Sequence, residues 1–191
     1  AAKTLPLRTV LLAGSSQNPA ARSADEVVVG AMQDPAAIKA LVERCDVVTY
    51  EREDVPPEAV AVLREAEAQK RVQCHPSLDV IELIQDKGRQ KIWLAERGLA
   101  TLPFLLSNGE PATAQQAATE LGFPLVQNAL RGGFDGRGGQ VLGAQDDLSR
   151  AWPGPTLFEQ FAGSFREIAV LLVREPQGEM RHFGPVSMPF E

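Results

Sequence analysis

Cysteine is nearly missing from this chain: Cys45 and Cys74 are the only two in 191 residues. Two thiols make no disulfide framework and neither has metal-ligand spacing, so a reduced, cytoplasmic protein is predicted. Cys74 adjoins His75, but sequence neighbours seldom ligate one metal without further partners, and no metal site is expected there. No apolar run approaches the roughly 20 residues that a membrane span needs, and the N-terminus lacks a signal peptide's apolar segment. Basic residues are not in excess either. Lys+Arg number 19 against 25 Asp+Glu, a net charge of −6 that argues against generic nucleic-acid binding. There is no repeat and no low-complexity tract. What remains is an ordinary globular composition, 44% hydrophobic and 23% charged, long enough for one medium domain or two small ones.

What the chain does have is glycine in one place. Leu130-Arg131-Gly132-Gly133-Phe134-Asp135-Gly136-Arg137-Gly138-Gly139 lies between two apolar runs, Phe123 to Gln127 and Gln140 to Leu142, which read as strands. Glycine lets other groups approach the backbone closely, so this hairpin exposes many N–H donors. With Arg131 and Arg137 beside them, those donors suit a polyanion, most simply nucleotide phosphates; otherwise the segment is a plain surface hairpin.

The first part of the chain alternates strands and helices. Thr9 to Ala13, Val27 to Val29 and Cys45 to Tyr50 read as strands. Asp34-Pro35 starts a helix with Ile38, Leu41 and Val42 on one face, and another runs from about Pro57 to Gln69 with Val60 and Leu63 inward. Such alternation predicts a parallel sheet of doubly wound type. The turn after the first strand, Gly14 to Pro19, lacks a dinucleotide fingerprint, and too few residues follow for a full helix.

From His75 the character changes. Ser77 is an N-cap, with Val80, Ile81 and Ile84 expected inward, and Gly98 stops the helical stretch that follows. Lys87 and Lys91, four apart, form either a solvated basic face or a pair aimed at an anion. Pro103 to Leu106 is a strand, Ala112 to Leu121 a helix closed by Gly122, and a polar helix is expected from about Ala144. Leu157 to Phe161 and Phe165 to Val173 read as strands, the latter paired across a turn with Met180 to Val186. Glu159 and Glu167 either anchor loops or serve ribose hydroxyls, a base amino group or magnesium.

Taken together, Asp46-Val47-Val48-Thr49-Tyr50-Glu51, Ile84-Gln85-Asp86-Lys87, Lys91, the Gly132 to Gly138 loop, Phe158-Glu159-Gln160-Phe161 and Arg166-Glu167 resemble the ATP-grasp ligases. Among these, the pattern is similar to the carboxyaminoimidazole ribonucleotide synthases of purine biosynthesis, over about Val10 to Val186. The resemblance implies an α/β fold: a shortened pre-ATP-grasp parallel-sheet domain over residues 1–75, then the front half of an ATP-grasp module over 76–191. Its lid subdomain is expected at about 104–165.

The activity implied is ATP- and Mg2+-dependent carboxylation of aminoimidazole ribonucleotide by bicarbonate through carboxyphosphate, in a homodimer. Lys87 and Asn128 then lie at the nucleotide phosphates, and Gly133, Phe134, Asp135, Gly136, Arg137 and Gly138 form the lid. Asp135 and Arg137 act beside the transferring carboxyl, Glu159, Gln160, Phe161 and Ala162 hold adenine, and Glu167 takes the ribose. The rival readings are another ATP-grasp carboxylase or ligase, and a non-catalytic nucleotide-binding or subunit-interaction protein on the same scaffold. Three departures stand out. The family's phosphate-binding lysine is Asn128, the lid tyrosine is Phe134, and the opening glycine-rich turn is absent. The magnesium ligands are expected beyond Glu191, so this chain alone is expected to bind ATP weakly and not to complete turnover.

Overall fold

Short apolar runs fold into parallel strand pairs in the first half of the chain, and the strands of the second half pair antiparallel. The computed structural model describes residues 5–133, 138–163, 166–175 and 177–188. Strand β1 (Val10–Ala13) pairs in parallel with β2 (Glu26–Val29), and β3 (Val47–Thr49) with β4 (Gln73–His75). Helix α1 (Pro35–Val42) connects β2 to β3, and α2 (Pro57–Ala68) connects β3 to β4. The predicted parallel strands are present, arranged as two hydrogen-bonded pairs.

Local chemistry sets these boundaries. The Asp34 carboxylate accepts from the Ala36 N–H at 2.9 Å, and proline follows at the first helical position. Only a short 3-10 turn, Pro19–Ser23, fits between β1 and β2. Ile38, Val42, Val60 and Leu63 are buried together with Leu78 and Ile81 of α3 (Leu78–Ile84).

That last pair corrects an expectation in part, Ile81 lying inward as expected. Val80 and Ile84 were expected inward, but they are 43% and 37% exposed, whereas Leu78 and Ile81 are buried. The helix ends at Gln85, and α4 (Lys87–Glu96) begins afresh under an Asp86 cap, so α3 has two turns and only one inward row. The positive φ of Gly98, +65°, then closes the helical stretch as expected.

The second half is one antiparallel sheet in the order β5 (Phe104–Ser107), β8 (Thr156–Gln160), β6 (Leu125–Ala129), β7 (Gly139–Leu142). Helix α5 (Pro111–Leu121) covers one face, where Ala114, Ala117 and Ala118 meet Leu125, Leu142 and Phe158. Alanines on the helix let it lie close to the sheet. Gln127 is wholly buried on that same face, yet fully employed. Its amide donates to the Trp152 carbonyl and the Thr156 hydroxyl, and its oxygen accepts from Gln140 and the Trp152 N–H. The polar helix expected near Ala144 is a 3-10 segment, Gln145–Arg150. There the Asp147 carboxylate accepts from the Gly143 and Ala144 amides, a local bond that competes with α-helical pairing.

Strands β9 (Ile168–Arg174) and β10 (Met180–Ser187) form the predicted antiparallel hairpin. No other strand among the described residues pairs with it.

Candidate nucleotide site

The side of the four-stranded sheet away from α5 carries Asn128 and Glu159. Val126 lies opposite Glu159 in the β6–β8 register, so Asn128, two residues on, shares the face with Glu159. The Asn128 amide donates to Glu159 Oε2 at 2.8 Å. Helix α4 crosses this face at Gly88, where an added Cβ would lie 2.8 Å from Leu106 Cδ2 and 3.1 Å from Leu130 Cδ2. One turn further on, the Lys91 ammonium forms an ion pair with Glu159 Oε1 and donates to Thr101 Oγ1 at 2.6 Å.

Lys91 is therefore not on a solvated face. Its side chain is 16% exposed and that of Glu159 13%. A carboxylate this deep in the fold is costly without a cation and hydrogen bonds, and here it has both.

The N-terminus of α4 is fastened to the stem of the glycine hairpin. The Lys87 N–H donates to the Leu130 carbonyl at 2.9 Å, and Arg131 pairs with Asp86 at 3.3 Å. Beside this junction lies a cavity of about 250 Å3 between the Glu53 to Pro57 loop and residues Lys87, Leu130, Arg131 and Gly133. Lys87 and Arg131 give it two cations. Asp54 gives it a carboxylate with one oxygen, Oδ1, buried and without a hydrogen-bond partner among the described residues.

The hairpin narrows to a neck of two glycines. The Ala129 N–H donates to the Gly138 carbonyl at 2.9 Å, and a Cβ on Gly133 would stand 2.7 Å from Gly138 Cα. Only glycine permits so close a crossing. Phe134, Asp135, Gly136 and Arg137 lie outside the described residues, so the two expected catalytic positions have no structural description.

At the other end of β8, the Gln160 N–H donates to the Pro103 carbonyl at 3.0 Å and the Phe161 N–H to Pro124 at 3.2 Å. Those two amides serve the fold. Phe161 and Ala162 themselves are exposed at the strand's end. Glu167 is half-buried just before β9, its carbonyl accepting from the Met188 N–H at 3.0 Å.

Of the expected site, Lys87, Asn128, Gly133, Gly138 and Glu159 thus gather around α4 and the sheet face it crosses. One contributor escaped sequence reasoning: the Lys91–Glu159 pair spans 68 positions, and only the four-residue spacing of Lys87 and Lys91 hinted at it. Among the described residues, no group of three His, Cys, Asp or Glu side chains is placed to hold a metal ion.

Comparison with known proteins gives this geometry a setting. Residues 1–85 match the family described as ribonucleotide synthetase preATP-grasp domain, and residues 92–189 match the ATP-grasp domain. An N5-carboxyaminoimidazole ribonucleotide synthase from Synechocystis is 34% identical over 97% of this chain and 46% of its own length. The crystal structure of N5-carboxyaminoimidazole ribonucleotide synthetase from Thermotoga maritima aligns with a TM-score of 0.84 at 30% identity, covering 97% of this chain and 48% of that one. An Aspergillus clavatus synthase, solved in complex with ADP and 5-aminoimidazole ribonucleotide, aligns at 0.79 and 28% identity, covering 96% of this chain and 47% of that one. The chain spans about half the length of the relatives it matches.

Proposed function

The chain belongs to the ATP-grasp family, and on that footing we propose that it grips ATP for the carboxylation of aminoimidazole ribonucleotide by bicarbonate. The single observation that carries the reading is the convergence of α4, β6 and β8 on one sheet face beneath the glycine neck. Lys87 and Arg131 supply charge for phosphates, and Gly133 and Gly138 allow the hairpin to approach them closely. Glu159 supplies acceptors for a base amino group, and Glu167 is the candidate ribose ligand. The chemistry needs positioning and charge neutralisation more than covalent help from the protein. A bicarbonate oxygen attacks the γ-phosphorus of ATP and ADP departs. The ribonucleotide's amino nitrogen then attacks the activated carboxyl carbon, phosphate leaves, and the nitrogen loses a proton. The cavity flanked by Lys87, Arg131 and Asp54 suits an acceptor bearing both anionic and amino groups.

The proposed setting is the cytoplasm, which the two free thiols support, and the proposed assembly is a homodimer. Asn128 favours a second reading, nucleotide binding without turnover, because an amide cannot offset phosphate charge. Calorimetric titration of ATP into the chain, followed by an assay of ADP release, separates the readings. ADP release that requires bicarbonate and rises with aminoimidazole ribonucleotide supports the first. Saturable binding without release supports the second. Absence of ATP binding contradicts both.

A further inference from the structure

Glu159 is met on both carboxylate oxygens before any ligand arrives: Lys91 on Oε1, Asn128 on Oε2. A carboxylate offers about four acceptor positions, so roughly two remain. Their direction is fixed by whatever fixes the carboxylate. Asn128 contributes one neutral hydrogen bond from the neighbouring strand. Lys91 contributes the full charge, and its own ammonium is pinned by Thr101 and by α4, the helix that also carries Lys87. The base-binding end of the site and its phosphate end are therefore joined through one helix, one turn apart.

We propose that Lys91 is a positioning residue for purine recognition: its ammonium fixes the Glu159 carboxylate so that the two free acceptor positions face the exocyclic amino group of adenine. The inference rests on the reading of this sheet face as the ATP site. A fixed carboxylate accepts from a 6-amino group and repels a 6-oxo group, so selectivity for adenine depends on a residue that touches no part of the nucleotide. Without Lys91, the carboxylate is left in a largely buried place with one neutral partner, and its orientation is no longer determined.

The test is calorimetric titration of ATP and of inosine triphosphate into the full chain and its Lys91 variants, with a thermal melt of each. The wild-type chain is expected to favour ATP by about tenfold, the worth of one charge-assisted hydrogen bond. Lys91→Met is expected to bring the two affinities within about twofold of each other, and Lys91→Arg to restore the preference, since arginine can pair with the same carboxylate. Lys91→Gln removes the charge and keeps a donor; should Lys91→Met fail to fold, its ratio decides the matter, and it too is expected to approach one. A purely structural lysine would lower both affinities and the melting point together and leave the ratio unchanged, which overturns the inference while the ATP site stands. A wild-type chain that binds neither nucleotide overturns the site and the inference with it.

Discussion

At position 128 a neutral amide provides geometry without charge. Asn128 reaches Glu159 at 2.8 Å, but it brings no cation to the proposed phosphate-binding face. Asn128→Lys is expected to tighten ATP binding about tenfold, near 1.4 kcal/mol, because it adds a charge-assisted contact; calorimetry at constant ionic strength checks this, and unchanged affinity contradicts it. The glycine neck is equally local. Gly138→Ala puts a methyl group into the Gly133 backbone, so it should cost about 1–3 kcal/mol in a urea melt and weaken ATP binding as well. Gln127 works in the opposite sense, by being satisfied. Replacing it with leucine strands the Thr156 hydroxyl and the Trp152 N–H and leaves the Gln140 amide with the Arg150 carbonyl alone, with an expected loss of about 2 kcal/mol in the same melt.

Helix α4 is the element that turns a sheet into the proposed nucleotide site. It contributes Lys87 and Lys91, approaches the sheet through Gly88, and ties its first turn to the hairpin stem. Asp86→Ala removes both the N-cap, worth about 1 kcal/mol, and the Arg131 tether. Faster protease cleavage between Leu130 and Gly139 is expected, and an unchanged rate would show that the tether does not order the stem. Part of the helical layout was legible beforehand. The Asp34, Ser77 and Gly98 boundaries are local chemistry, readable wherever a cap or a positive φ marks the chain. The three-residue strand β4 was not, being too short to show any alternation. Nor was the inward row of α3, because the break at Gln85 is fixed by that residue's bonds to the Glu53 and Val55 carbonyls, 32 and 30 positions away. The Lys91–Glu159 pair escaped for the same reason: strand register decides it, and single-residue chemistry does not.

Over the whole molecule, two independent cores carry the two halves. The first contains a buried Cys74 and a Tyr50 hydroxyl with no hydrogen-bond partner among the described residues. Burial pushes the Cys74 thiol above its ordinary value of 9.0, and burial with Cys74 alongside pushes the Tyr50 hydroxyl up as well. The folded chain thus favours their protonated forms. That contribution is complete below about pH 9 and fades as pH rises beyond it, so melting temperature should fall on the alkaline side. Tyr50→Phe should flatten the fall without lowering stability near neutrality; an unaltered alkaline slope contradicts this. The β9–β10 hairpin exposes Leu171, Leu172 and Phe183 at 65%, 60% and 75%, an apolar patch of the kind that marks an interaction surface. The proposed nucleotide site lies in the other half, on the sheet face away from its core. Amide hydrogen exchange with and without ATP tests it most directly. Protection at residues 87–91, 128–133 and 159–162 is predicted, and ATP-induced protection elsewhere, or none, would contradict it.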